Sequence, residues 1–212
     1  MTTPVGRGAF IVLEGCDRAG KSTQCRLLVE KLKDSNIPAE LVVFPDRSTP
    51  IGQVISEYLK KEVQLPDQAI HLLFTANRWE RAEEIKSKLE KGCTLIVDRY
   101  SYSGVAYSSA KEKKTSSFQW YKNPEEGLPK PDAVFYLNLE PEIIAERKGF
   151  GGERYESAQF QKDVAECFKK LNDGSWKIVD ADKLIEDLTT ELYSYVTEIV
   201  RLSKDKPLGV MW

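Results

Sequence analysis

Short apolar runs alternate with segments of helical periodicity along the whole chain. Five runs are apolar almost throughout, as strands covered on both faces are: 9–13, 41–44, 94–97, 133–139 and 176–179. After the first two runs, apolar residues recur at helical spacing, at Cys25, Leu28, Val29 and Leu32 and again at Ile51, Val54, Ile55, Tyr58 and Leu59. This alternation predicts an α/β fold, with a five-stranded parallel sheet flanked by helices.

The longer intervals between strands suggest additional elements. The segment from Pro66 to about Lys91 has helical periodicity throughout and predicts one long helix that could reach over the sheet edge. A glycine cluster, KGFGGERYE at 148–156, interrupts the helical region after the fourth strand and indicates a mobile segment. No repeat or linker divides the chain, so we expect one domain over 1–212, with a small flexible lid at about 145–157.

Composition and charge narrow the classes of partner. The 212 residues include 31 Lys and Arg against 33 Asp and Glu, a net charge of −2, so no general basic field favours nucleic acid. No apolar stretch is long enough to cross a membrane, and the N-terminus does not resemble a signal peptide, so we expect a cytoplasmic or nuclear protein with no membrane partner. The four cysteines form no CxxC pair, which argues against a zinc site or a disulfide framework.

A phosphate-binding motif follows the first strand. The segment GCDRAGKS, from Gly15 to Ser22, matches GxxxxGK[ST] between a predicted strand and a predicted helix. In such a loop, backbone N–H groups converge on phosphate oxygens at the positive end of a helix, the lysine reaches the β- and γ-phosphates, and the hydroxyl ligates Mg²⁺. The motif predicts a site for a nucleoside triphosphate, with Lys21 and Ser22 in these roles.

Other segments bear on the second substrate, because the loop alone is common to GTPases, ATPases and small-molecule kinases. The guanine-reading NKxD is absent, as is a DxxG after the third strand. Instead Asp98 and Arg99 follow the third strand, and Phe44 and Arg47 follow the second, at the edge where parallel sheets bind ligands. The acid suits Mg²⁺, and two arginines facing one cleft predict a second anion beside the triphosphate.

Taken together, these motifs carry a resemblance over essentially the whole chain. The segments are LEGCDRAGKSTQ, FPDRSTPIG, LLFTANRWE, VDRYSYSGVAY, GLPKPD and GERYE. With them the chain resembles the thymidylate kinases of eukaryotic type. The resemblance implies the P-loop kinase fold, ATP and dTMP as substrates, Mg²⁺ as cofactor, transfer of the γ-phosphoryl group to give dTDP, and usually a homodimer.

The resemblance also implies roles for single residues. Arg18 would contact the transferring phosphoryl group, Arg47 and Arg99 the acceptor phosphate, Asp17 the sugar 3′-hydroxyl, and Asp98 the magnesium ion or its water. Phe74 would stack on thymine and Arg78 would bond its carbonyl; their spacing places both on one helix face. Further acceptor-site residues would be Phe44, Ser103, Gly104, Tyr107, Tyr155 and Gln161. The ATP side would include Gly15, Ala19, Gly20, Thr23, Arg147 and Lys183, with Arg154 an alternative to Arg147.

Some alternatives stay open at this point. Asp46, Thr75 and Tyr107 stand where many members of the family have Glu, Ser and Phe, and the Asp46 change leaves that carboxylate's contact uncertain. A kinase of another nucleoside monophosphate would share the cradle and lid, although Phe74 and Arg78 argue against it. A deoxynucleoside kinase would have a neutral acceptor and need fewer arginines, and a non-catalytic nucleotide-binding protein would not need Lys21, Asp98 and Arg99 together.

Overall fold

The computed structural model describes residues 6–111, 118–140, 143 and 152–212. In this part of the chain five strands form one parallel sheet in the order β2-β3-β1-β4-β5. Their bounds are β1 Phe10–Glu14, β2 Ala39–Val43, β3 Thr94–Asp98, β4 Ala133–Asn138 and β5 Lys177–Asp180. The predicted α/β class and the five parallel strands are confirmed, with strand ends shifted by one or two residues.

Helices connect the strands and cover the sheet. They are α1 Lys21–Asp34, α2 Pro50–Leu59, α3 Asp67–Trp79, α4 Ala82–Glu90, α5 Ser101–Lys111, α6 Phe118–Lys122, α7 Ala158–Leu171 and α8 Ile185–Ser203, with a 3₁₀ turn at Asn123–Glu125. Every residue of β1 and β3 is buried, as expected for inner strands of a parallel sheet with both faces covered. These two strands are neighbours, so their carboxyl ends deliver the phosphate loop and Asp98 to the same sheet edge.

The predicted long helix over 66–91 is two helices instead. α3 ends at Trp79 and α4 begins at Ala82. At the break, the Glu80 carboxylate accepts hydrogen bonds from Thr49 and Asn77, and Arg81 pairs with Asp46. Contacts with the loop after β2 thus hold the turn between the two helices.

A second, smaller apolar cluster lies beside the main core. Ile55, Tyr58 and Leu59 of α2 pack with Ile70 of α3 and with Tyr155, in the C-terminal part of the predicted lid. This cluster holds the 152–157 segment beside the cleft. Within the described residues, no helix has the length and apolar character needed to cross a membrane.

Candidate active site

The loop between β1 and α1 forms a cradle at the sheet edge. Gly20 precedes the first residue of α1 at φ 96°, a left-handed conformation that favours glycine and lets the loop turn sharply into the helix. Lys21 opens the helix, and its Nζ donates to the Cys16 carbonyl oxygen at 2.6 Å. The lysine therefore folds back over its own loop, at the positive end of α1 where backbone N–H groups are available to an anion.

Lys21 is buried, and its pKa is lowered to about 8. Burial is the largest cause, and repulsion from Arg99 adds to it, whereas Asp98 and Asp17 act in the opposite direction. The ammonium group thus stays largely charged at neutral pH, but a buried cation without a full set of partners is stabilised by an incoming anion.

Ser22 and Asp98 meet beside this cradle, where the serine hydroxyl donates to Asp98 Oδ2. A hydroxyl and a carboxylate oxygen form a donor set that suits Mg²⁺, which usually binds one or two protein oxygens and completes its shell with phosphates and water. In the described ranges no group of three or more His, Cys, Asp or Glu side chains is placed to hold a metal ion. The two oxygens therefore fit a magnesium ion that arrives with a nucleotide.

Arg99 lies between the loop and the acceptor side of the cleft. Its backbone has φ 67°, which is costly for a residue with a side chain, and its guanidinium pairs with Asp17 and donates to the Gly15 carbonyl at 3.2 Å and to Ser103 Oγ at 3.1 Å. Gln161 supports the same arrangement: its amide donates to Asp17 Oδ2 at 2.7 Å and accepts from the Asp17 N–H at 2.9 Å.

The electrostatics of this pair follow from burial and charge. Burial acts to raise the pKa of Asp17, but Arg99 and Lys21 together outweigh it, so the pKa lies below its usual value. Tyr107 packs against Arg99, with the guanidinium carbon 5.2 Å from the ring centroid. Its phenol lies near Asp17 without a hydrogen bond of ordinary geometry. Asp17 is therefore ionised and faces the cleft.

Glu14 is a buried carboxylate beneath the cleft that the sequence reasoning did not identify. It accepts from the Tyr100 N–H at 2.9 Å, from the Ser103 N–H at 3.1 Å and from Ser103 Oγ at 2.5 Å. These bonds cap the start of α5 and tie it to the end of β1. Burial raises the pKa of Glu14, while these hydrogen bonds and Arg99 oppose the rise.

Phe74 and Arg78 line the cleft from α3, on one helix face as predicted. Arg78 is almost fully buried and makes an ion pair with Glu125, a residue of the 3₁₀ turn that the sequence reasoning also missed. Gly104 of α5 allows the close approach: a Cβ there would lie 2.5 Å from Arg78 Nη2. Any other residue at 104 would displace the guanidinium.

Two further arginines of the cleft pair with the C-terminal part of the predicted lid. Arg18 donates to Glu156 and Arg47 to Glu153, at 3.0 and 2.9 Å. Arg18 has φ 65°, so it is the second residue of the site, after Arg99, that carries a side chain on a left-handed backbone. Arg154, considered as a residue covering ATP, instead anchors this segment to the end of α2, through the carbonyls of Tyr58 and Val63 at 2.8 and 3.0 Å. Arg147 lies outside the described residues, so the choice between the two arginines stays a prediction.

Together these elements enclose a cleft of about 730 Å³, a size typical of ligand sites. Most of the predicted residues line it: Asp17, Arg18, Gly20, Lys21, Ser22, Thr23, Phe44, Arg47, Phe74, Arg78, Asp98, Arg99, Ser103, Gly104, Tyr107 and Tyr155. Gly15, Ala19 and Gln161 lie behind this wall, Lys183 is exposed after β5 and pairs with Glu191, and Arg147 falls outside the described residues. Asp46 bonds Ser48 and Arg81, apart from the cleft wall.

The glutamates that the sequence reasoning missed differ in how far the sequence indicates them. Glu14 is indicated by its position, because it is the only charged residue of an otherwise apolar strand and lies next to the phosphate-binding motif. Glu153 and Glu156 lie in GERYE, where only the arginine and tyrosine were considered. Glu125 lies in the segment NPEEG, a pattern typical of a solvent-exposed turn. Nothing in the sequence therefore distinguishes it from its exposed neighbour Glu126.

Comparison with known proteins agrees with this geometry. The thymidylate kinase family profile matches residues 13–192. A thymidylate kinase of Homo sapiens is 49% identical over 209 residues, covering 97% of this chain and 98% of the relative, and one of Danio rerio is 47% identical over the same shares. The solved thymidylate kinase of Candida albicans superposes with a TM-score of 0.88 at 40% identity, covering 98% of this chain and 99% of that one. The chain belongs to the thymidylate kinase family.

Proposed function

We propose that this cleft transfers the γ-phosphoryl group of ATP to dTMP, giving dTDP and ADP. One observation carries the proposal: a single cleft is lined by the phosphate loop with Lys21, by Arg47 and Arg99, and by Phe74 and Arg78. A donor phosphate chain, an acceptor phosphate and a flat base need these three groups in one cleft. Membership of the family, whose members are nucleoside monophosphate kinases, supports the same reaction.

On the donor side, the loop and the start of α1 bind the triphosphate of ATP. Lys21 contacts the β- and γ-phosphates, and Arg18 contacts the transferring group as charge spreads over its equatorial oxygens. Ser22 and Asp98 hold magnesium, which when bound neutralises charge on the phosphate oxygens. Gly15, Ala19, Gly20 and Thr23 complete the cradle, and Arg147 and Lys183 remain predictions for the ATP side.

On the acceptor side, each cleft wall contacts one part of dTMP. Arg47 and Arg99 hold the acceptor phosphate, since guanidinium groups match phosphate oxygens in geometry and charge. Asp17 accepts from the sugar 3′-hydroxyl, and Gln161 supports it from behind. Phe74 stacks on the base, Arg78 donates to a base carbonyl, and the remaining wall is formed by Phe44, Ser103, Gly104, Tyr107 and Tyr155.

This set of residues suits an acceptor that is already a nucleophile. A phosphate monoester has a second pKa near ~6, so at neutral pH most of it is dianionic and no general base is needed. The barrier lies in bringing two anions together in line. Four cationic side chains, Lys21, Arg18, Arg47 and Arg99, reduce that repulsion, and closure over them excludes water.

The test measures ADP release with ATP, Mg²⁺ and a panel of acceptors: dTMP, dUMP, dCMP, AMP, UMP and thymidine. We expect dTMP to give the highest kcat/KM and thymidine no turnover above the ATP-only control. A preference for AMP or UMP would favour another monophosphate kinase, and turnover with thymidine would favour a deoxynucleoside kinase. Release of ADP that no acceptor accelerates would reject phosphoryl transfer to these substrates.

The assembly belongs to the same proposal. We expect a homodimer, as the family resemblance implies, and the exposed apolar side chains Val54 of α2 and Leu72 and Trp79 of α3 offer surface for it. Sedimentation of the purified protein tests this, with a monomer as the contrary result. The single domain, the lid at about 145–157 and the cytoplasmic or nuclear location stay predictions.

A further inference from the structure

A buried carboxylate that does not line the cleft holds one of its arginines. Glu125 has no exposed surface, and both of its oxygens are fully used by hydrogen bonds. Oε2 accepts from Arg78 Nε at 2.8 Å and from Ser101 Oγ at 2.7 Å, and Oε1 accepts from Thr75 Oγ1 at 2.6 Å and from Arg78 Nη2. Four donors saturate the lone-pair sites of a carboxylate, so its orientation is fixed from two helices, α3 and α5, at once.

We propose that Glu125 is a positioning residue that makes Arg78 a charge-compensated donor and thereby sets a preference for pyrimidines with a 4-keto group over those with a 4-amino group. The inference rests on the proposed function, in which Arg78 faces the base. It adds the reason why this arginine reads a neutral base rather than binding a phosphate.

The fixed geometry leaves one nitrogen of Arg78 for a ligand. Nε and Nη2 are both engaged by Glu125, and within the described residues no protein acceptor bonds Nη1. Arg78 lines the cleft although it is almost fully buried, so Nη1 is the part of the fork available there. A guanidinium nitrogen can only donate. A carbonyl oxygen of the base can accept a hydrogen bond from Nη1. An exocyclic amine is itself a donor and would face Nη1 without forming one.

Charge compensation separates Arg78 from the other cleft arginines. The attraction of Arg78 and the hydrogen bonds to Glu125 outweigh burial and lower the pKa of that carboxyl, so the partner is ionised at neutral pH. The pair is neutral overall and buried on both sides. An anionic group would gain little there, because Glu125 would repel it, while a neutral carbonyl gains a hydrogen bond without disturbing the pair.

The neighbours of the pair restrict movement further. Gly104 packs directly under the guanidinium, so the plane of Arg78 is confined by the α5 backbone on one side. Thr75 supplies a hydroxyl one helical turn before Arg78, and a serine at this position would supply the same group. Both contacts therefore support the orientation of the guanidinium fork, and Thr75 does so from outside the cleft wall.

The test replaces Glu125 by Gln and measures steady-state kinetics with dTMP, dUMP and dCMP. Its control is Glu126→Gln, which changes the adjacent but exposed acid. In Glu125→Gln we expect KM to rise about tenfold or more for dTMP and dUMP, which share the 4-keto group, and to change less than about threefold for dCMP and for ATP. The ratio of dTMP to dCMP kcat/KM then falls about tenfold, and Glu126→Gln leaves it unchanged.

A folding defect in Glu125→Gln would mimic part of this result, so two milder substitutions at Thr75 are measured as well. Thr75→Val removes one donor to Glu125 and Thr75→Ser restores it; we expect a few-fold loss of the dTMP to dCMP ratio in the first and the wild-type ratio in the second. The inference would be overturned by equal losses of kcat/KM for all three nucleotides. It would also be overturned by an unchanged dTMP to dCMP ratio in folded Glu125→Gln, or in Thr75→Val if Glu125→Gln does not fold. A wild-type enzyme inactive on dTMP would instead reject the proposed function.

Discussion

The arginines at the two ends of the cleft are paired with carboxylates in different ways. Side-chain exposures are 32% for Arg18 and 42% for Arg47, and 10% and 39% for their partners Glu156 and Glu153 in the C-terminal part of the predicted lid. For Arg78 and its partner Glu125 the exposures are 3% and 0%. The same type of ion pair is thus accessible at the phosphate end and sealed at the base end.

This difference in burial indicates a difference in use. An exposed ion pair contributes about 0 to 1 kcal/mol and is easily exchanged, so a phosphate can replace Glu153 at little cost. Removing one partner of a buried pair costs about 3 to 5 kcal/mol, so Arg78 keeps its carboxylate when a ligand binds. The phosphate end therefore offers charge to the substrate, while the base end offers a fixed hydrogen-bond pattern.

The largest expected effect comes from replacing Lys21, the buried lysine of the phosphate loop. Lys21→Met should nearly abolish transfer with an intact fold, because it removes a transition-state charge contact and no core packing. Turnover and the circular dichroism spectrum together check this. Near-normal turnover with an unaltered spectrum would show that the triphosphate does not bind at this loop.

Arg18→Gly should lower kcat by roughly a hundredfold or more while ATP and dTMP affinities change little, since its contact forms chiefly in the transition state. Glycine suits the left-handed backbone at this position, φ 65°, so the loop should keep its shape. Steady-state kinetics measure the split between kcat and KM.

The comparison variant for Arg18 is Lys148→Ala, in the glycine-rich segment outside the described residues, which should lower kcat far less. Small, equal decreases of kcat in the two variants would mean that Arg18 does not contact the transferring phosphoryl group in the transition state. The role would then return to Arg147 or Arg154.

Phe74→Ala tests whether the base end recognises a flat ring. Stacking on a base is worth about 1 to 3 kcal/mol, so KM for dTMP should rise roughly 5- to 150-fold with a smaller change in kcat. Calorimetric titration of dTMP provides the direct measurement, with ATP titration as its control. Unchanged dTMP affinity would mean that Phe74 only fills space in α3.

The pKa of Lys21, lowered to about 8, predicts opposite pH trends for activity and stability. Above about pH 8 the free enzyme loses the charge that attracts phosphate, so kcat/KM for ATP should fall up to about tenfold per pH unit. From pH 8 to 10.5 the unfolded chain holds a proton that the folded one has released, so this group makes the free energy of unfolding rise with pH. Lys21→Met should lack that rise in denaturant titrations; an equal rise in both proteins would contradict the assignment.

Much of the fold and the phosphate end could be predicted from sequence. The strands are nearly continuous apolar runs, and the loop motif places Lys21 and Ser22 in a fixed relation to β1 and α1. Such features depend on local spacing, which the sequence displays. The break at Glu80 and Arg81 depends instead on contacts with the loop after β2, which periodicity within the helix does not report.

The carboxylates that organise the arginines could not be predicted for the same reason. Glu125 lies 47 positions from Arg78 along the chain, and Glu156 lies 138 from Arg18. A buried acid in a turn has the same local sequence signal as an exposed one, because its burial is produced by elements folded over it. Sequence reasoning therefore found the residues that face a ligand more readily than those that hold them.

The smallest expected effect distinguishes the two ends most directly. Glu153 bonds Arg47 through both carboxylate oxygens, at 2.9 and 3.2 Å, and both side chains are about two-fifths exposed. Glu153→Gln removes a competitor for the acceptor phosphate, so KM for dTMP should fall, by no more than about threefold because exposed pairs are weak and screened. Glu156 is less suitable, since it also accepts from the N–H groups of Gly152 and Glu153 and shapes the segment itself.

Measuring KM at low and at high salt sharpens the test, because the gain should disappear as salt screens the charges. A rise in KM at both salt concentrations would mean that Glu153 helps to hold Arg47 for the substrate, and the contrast between exchangeable and fixed carboxylates would then fail at the phosphate end.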